Sequence, residues 1–129
     1  MTKQELLKKL KETNLLSLAF IGDSVHTLFV REKVLAGSEG KMQNYHNLSA
    51  KYCKAETQAK ALEKLKPILT DEEREIVRRA RNARPKHQAK NASLADYSEA
   101  TSFEALIGFL YLSENEERLN QILKISVED

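Results

Sequence analysis

Apolar residues recur along this chain at helical spacing, and almost no segment alternates apolar and polar residues as a half-buried strand would. The pattern predicts an all-α domain. Thr2 followed by Glu5 has the form of a capping box, opening a short helix through about Glu12 with Leu6, Leu7 and Leu10 on one face. A long helix is expected from Asn14 or Ser17 to about Ala36, stopped by Gly37. Between Gly37 and Asn47 the Ser, Gly and Asn content predicts a loop with a short helical turn. Asn47 or Ser49 then caps a third long helix that Pro67 closes near Lys66. Thr70 with Glu73 repeats the capping box and starts a helix through roughly Ala80, turning Ile76 and Val77 inward. Residues 84–96, with Pro85, are expected to form a loop. A strongly apolar helix then runs from about Ser98 to Leu112, and Asn115 precedes a last short helix ending near Ile125. The result is a compact multi-helix bundle with no internal repeat, heptad or low-complexity tract.

The 129 residues fit one domain, residues 1–129, long enough to bury roughly two-thirds of the surface the unfolded chain exposes. Cys53 is the sole cysteine, so neither an internal disulfide nor a CxxC zinc site is available; the expectation is a reducing compartment, the cytoplasm. The N-terminus is charged and amphipathic (Lys3, Glu5, Lys8, Lys9, Lys11), with no signal-peptide core or membrane span, so a soluble protein is expected. Net charge is only +2, but from Arg78 to Lys90 every charge is positive. Arg78, Arg79, Arg81, Arg84, Lys86 and Lys90, with His87, form a basic run that reads either as a polyanion-binding stripe or as a solvated helix end.

Two apolar segments each carry one carboxylate: Leu18-Ala19-Phe20-Ile21-Gly22-Asp23-Ser24-Val25 and Thr101-Ser102-Phe103-Glu104-Ala105-Leu106-Ile107-Gly108. Burying a carboxylate among Phe, Leu and Ile costs several kcal/mol unless a cation or hydrogen-bond donors compensate, and a shared divalent metal would serve both. Gly22 and Gly108 cost about 1 kcal/mol each in helices relative to Ala, and close approach of the two helices would offset that loss. The carboxylates would then meet across the contact. The alternative is that both glycines only enable packing while Asp23 and Glu104 pair with nearby Arg or Lys. His26, three residues after Asp23, reads as a core-edge histidine or a hydrogen-bond partner of the site. His46 is open between contact with a polyanion and local packing, and Cys53 reads as a packing residue.

The stretch Leu18 to Val25, the segment Arg78-Arg79-Ala80-Arg81-Asn82-Ala83-Arg84, the pair Lys90-Asn91, and the run from Tyr97 through Phe103-Glu104-Ala105 to Leu112 together resemble the ribonuclease III catalytic domain. The resemblance is closer to its stand-alone bacterial form, Mini-ribonuclease III, which lacks an attached double-stranded-RNA-binding domain. It implies a ribonuclease III-type endonuclease fold and a magnesium-dependent endoribonuclease that hydrolyses double-stranded RNA to 5′-phosphate and 3′-hydroxyl ends. Precursor large-subunit (23S) ribosomal RNA is the implied substrate, with a ribosomal-protein helper as a further implied partner. Asp23 and Glu104 fall on the family's metal-site carboxylates. Arg78, Arg79, Arg81, Arg84, Lys86, His87 and Lys90 become the implied RNA contacts. A homodimer is implied too, with Leu18, Phe20 and Ile21 at the interface and the Phe20 ring inserted into the partner. Larger relatives carry two more acidic ligands where this chain has Ala19 and Thr101. That departure motivates a competing expectation, a catalytically inactive double-stranded-RNA-binding or ribosome-assembly module of the same fold.

Overall fold

A computed structural model describes residues 1–37, 40–83 and 93–128, and among these the regular structure is entirely helical. The helices are α1 (Lys3–Lys11), α2 (Leu15–Gly37), α3 (Met42–Cys53), α4 (Ala55–Leu65), α5 (Asp71–Asn82), α6 (Leu94–Leu112) and α7 (Glu116–Ser126), with a 3₁₀ turn at Lys66–Ile68. Both expected capping boxes form. The Glu5 amide donates to Thr2 Oγ1 at 3.1 Å and the Glu73 amide to Thr70 Oγ1 at 3.2 Å, with each glutamate accepting from its cap residue in return.

The third expected helix is two. Lys54 adopts an extended conformation (φ −71°, ψ 152°) that ends α3 and starts α4. The Thr57 hydroxyl donates to the Lys51 carbonyl at 2.7 Å, satisfying one of the acceptors the break would orphan. No Gly or Pro marks the break in the sequence. α3 also starts at Met42, ahead of the expected Asn47. α6 begins at Leu94 rather than Ser98 because Ser93 caps it, its hydroxyl accepting from the Asp96 amide at 3.0 Å. The rest of the expected 84–96 loop, residues 84–92, lies outside the described residues.

α6 is the axis of the bundle, packed against α2, α4, α5 and α7. Phe103, Leu106, Ile107, Phe109 and Leu110 are all within 2% of full burial, each contributing about 1.5–3 kcal/mol relative to exposure. α7 is fastened to α5 by a largely desolvated ion pair: the Arg118 guanidinium grips Glu73 at 2.6 and 2.8 Å and also donates to the Ile68 carbonyl at 2.8 Å. Glu73 thus caps its own helix and anchors another. α2 presents Leu18, Gly22, His26 and Val30 inward, while Phe20, Leu28 and Leu35 are 76%, 60% and 66% exposed on other faces. Among the described residues no single helix is long and apolar enough to cross a membrane.

Candidate active site

The crossing of α2 and α6 is built on glycine. A Cβ at Gly22 would collide with the Glu104 carbonyl, its carbon only 2.6 Å from the ideal Cβ position. At Gly108 it would collide with the Leu18 carbonyl, whose carbon lies 2.8 Å away. Main chain therefore meets main chain, closer than side-chain packing allows. Asp23 follows Gly22, and Glu104 stands one turn before Gly108. The contact brings their carboxyl groups within hydrogen-bonding reach. The expected meeting of the two acids across a glycine contact is what the structure contains.

Their environments differ. Glu104 is the one residue between Ala100 and Leu110 that is not fully buried. Its carboxyl is pushed up to about 9 by burial first, then by its hydrogen bond to Asp23 and by that residue's charge, against an opposing hydrogen bond from Gln58. Burial and its neighbour both favour the protonated form of the Glu104 carboxyl. Asp23 itself is exposed, which corrects the expectation of two buried acids. The apolar residues around it, Leu18, Ala19 and Gly22, face the core, and Asp23 projects from a neighbouring face of α2.

His26 is a core residue, 2% exposed, with Phe103 edge-on at 5.0 Å between ring centroids. Burial lowers its pKa to about 4, against the raising effect of Asp23, so the ring is neutral at physiological pH. Its Nδ1 lies 3.2 Å from Gln58 Nε2, a buried amide of α4 that also reaches Glu104. Sequence reasoning missed Gln58. Cys53 sits at the edge of this cluster, where burial pushes its thiol up despite a hydrogen bond with Thr27; that is a packing thiol, not a nucleophile. Ala19 and Thr101 are both buried, and the Thr101 hydroxyl is committed to the Tyr97 carbonyl at 2.9 Å. Among the described residues no group of three or more His, Cys, Asp or Glu is placed to hold a metal, so Asp23 and Glu104 stand as a pair.

The basic run is less free than its sequence implies. Arg78 forms a two-point contact with Glu75 at 2.6 and 3.0 Å. Arg79 donates to the Lys11 carbonyl at 2.9 Å, closing the end of α1, and Arg81 is paired with Glu99 of α6 at 2.5 Å. Arg84, Lys86, His87 and Lys90 lie outside the described residues. Of the expected interface residues, Phe20 is 76% exposed and Ile21 half-buried, but Leu18 is 0% exposed in the core, so it cannot contact a partner. His46 is exposed on α3, beside Arg31, Leu35 and Met42.

Residues 16–115 match the Ribonuclease III domain, which sets the class: an endoribonuclease of the ribonuclease III type. The chain is 44% identical to Mini-ribonuclease 3 of Brevibacillus brevis over 96% of its own length and 92% of the relative's. It is 42% identical to Mini-ribonuclease 3 of Thermoanaerobacter sp., covering 88% of this chain and 80% of that protein. The fold superposes on a crystal structure of a Fusobacterium nucleatum protein with a TM-score of 0.79 at 28% identity, covering 87% and 89% of the two chains. The chain belongs to the ribonuclease III family, in its Mini-ribonuclease III form.

Proposed function

We propose that this protein is a magnesium-dependent endoribonuclease acting as a homodimer on double-stranded RNA in the cytoplasm, with precursor 23S ribosomal RNA as substrate and 5′-phosphate and 3′-hydroxyl ends as products. The observation that carries the reading is the Asp23–Glu104 pair at the glycine crossing. Two adjacent carboxyl groups, one held toward its protonated form by burial and then by the other, are a site that wants a cation. Hard oxygen donors in this number fit magnesium, which is commonly held by one or two carboxylates together with waters and substrate phosphates. When bound, it supplies positive charge to the attacked phosphodiester and acidifies water for the hydrolysis. The chain's own residues do the rest. Glu104 gives up its proton as the cation is taken, so metal affinity rises with pH toward about 9. Asp23 is exposed beside it, open to a cation and its waters, and the Gly22–Gly108 contact holds the two acids in register.

Phe20 supports the dimer: a phenyl ring 76% exposed on α2 is a surface awaiting cover. A neighbouring groove of about 550 Å³, lined by Val25, Leu28, Phe29, Tyr111, Leu119 and Leu123, offers an apolar receptacle for a partner's side chain. RNA contact falls to the positive residues of 78–90, reading phosphate and duplex shape rather than sequence. A ribosomal-protein helper would assist presentation of the precursor. The second reading, an inactive double-stranded-RNA-binding module, is favoured by Ala19 and by the Thr101 hydroxyl bound to its own helix.

Incubating the purified protein with duplex RNA, in magnesium and then in chelator, separates the two. Cleavage in magnesium alone, abolished in Asp23→Asn and Glu104→Gln while duplex binding persists, supports the enzyme. Salt-sensitive binding without cleavage supports the module.

A further inference from the structure

Gln58 is only 3% exposed, on the face of α4 that carries Ala61, Leu62 and Leu65 into the core. A buried primary amide is costly unless its donors are satisfied. Here the amide has two partners. Nε2 lies 3.2 Å from His26 Nδ1, and the same amide hydrogen-bonds toward the Glu104 carboxyl. With Nε2 as the donor, His26 accepts on Nδ1 and carries its proton on Nε2, and the same amide group is the hydrogen-bonding neighbour of the Glu104 carboxyl. His26 is held in turn by the edge of Phe103, the residue immediately before Glu104 on α6. Phe103, His26, Gln58 and Glu104 therefore close a ring across α2, α4 and α6.

We propose that Gln58 is a positioning residue of the metal site: its amide, backed by His26, holds the Glu104 carboxylate toward Asp23 in the orientation a divalent cation needs. The inference rests on reading the Asp23–Glu104 pair as that site. Gln58 touches no substrate; it acts through Glu104, as hydrogen-bonding partners behind metal-ligating carboxylates commonly do.

The test is manganese binding without RNA, read from the loss of the free Mn²⁺ electron paramagnetic resonance signal, beside cleavage kinetics at varied magnesium. Gln58→Met keeps the length and removes both donors. It should fold, bind Mn²⁺ about tenfold more weakly, need correspondingly more magnesium for half-maximal cleavage, and leave KM for RNA unchanged. Gln58→Asn keeps an amide one methylene too short to bridge and should show the same loss, which covers a folding defect in the first variant. His26→Phe should lose only two- to threefold, and the double variant should be no worse than Gln58→Met, because both act through one contact. Wild-type Mn²⁺ affinity in folded Gln58→Met and Gln58→Asn would overturn the proposal, and strictly additive losses would remove His26 from it. Wild-type protein that neither binds Mn²⁺ nor cleaves duplex RNA would instead overturn the metal site itself.

Discussion

Replacing Glu104 with Gln should destroy cleavage and make the metal-free protein more stable. In the fold the Glu104 carboxyl sits up at about 9, whereas in the unfolded chain it ionises at its ordinary value of 4.5. Because the folded value is the higher one, its favourable contribution is complete below about pH 4.5 and is lost progressively as pH rises toward about 9. At about pH 7.5 the difference accumulated is roughly 3 units, an upper bound of about 4 kcal/mol at 1.36 kcal/mol per unit. Partial solvation of the side chain brings the expected gain to about 1–2 kcal/mol. A glutamine reproduces the protonated glutamate: its amide donates to Asp23 and carries no charge to bury. Urea unfolding in chelator, at fixed protein concentration, should give a higher midpoint for Glu104→Gln at about pH 7.5 with an unchanged slope, and coincident curves near pH 4.5. Saturating magnesium should narrow or reverse the gap, because only the wild type gains binding energy in the folded state. A variant no more stable than wild type at about pH 7.5 in chelator would refute the argument, since holding the Glu104 carboxyl away from its ionised form would then carry no cost.

Gly108→Ala must push apart two backbones already in contact, so it should cost about 3 kcal/mol or more, read as a lower melting temperature together with weaker Mn²⁺ binding. Phe20→Glu puts a charge on an exposed apolar ring and should give a folded monomer by sedimentation velocity, with melting little changed. Arg118→Met leaves Glu73 buried without its partner and should cost about 3–5 kcal/mol. Burial pushes the Glu73 carboxyl up, but Arg118 and the Thr70 amide outweigh it and hold it below the ordinary value. That stabilisation is present above about pH 4.5 and lost as pH falls further, so the wild-type advantage over Arg118→Met should shrink in acid unfolding curves.

What the sequence made legible is what local rules govern. The Thr2 and Thr70 capping boxes, the length of α2 with its Gly37 end and the apolar α6 follow from short-range spacing. The meeting of Asp23 with Glu104 was legible for a less obvious reason: a glycine inside a helix is a local cost that only a distant partner repays, so two such glycines point to each other. The break at Lys54 left no trace, because an extended lysine is held there by its surroundings and not by Gly or Pro. Ser93-x-x-Asp96 was a readable cap, obscured by the polar residues around it. Gln58 occupies one position of the spacing 58, 61, 62, 65, an inward stripe that is otherwise apolar, and a polar residue there was the available clue. Arg79 and Arg81 show the opposite limit: like charges in a row look free until the carbonyl of Lys11 and the carboxylate of Glu99, far away in sequence, are folded against them.

The contact between Gly22 and Gly108 also sets what this site can tolerate. Where side chains separate two helices, any change in the core lets the helices drift, and the distance between groups mounted on them drifts as well. Here the two backbones rest on each other like the faces of a gauge block. Substitutions elsewhere in the core can lower the melting temperature step by step while the spacing of Asp23 and Glu104 stays fixed, until the fold fails as a whole. Loss of activity in such a series, Gln58 and His26 apart, should follow the unfolded fraction, with no population of folded molecules whose helices are out of register.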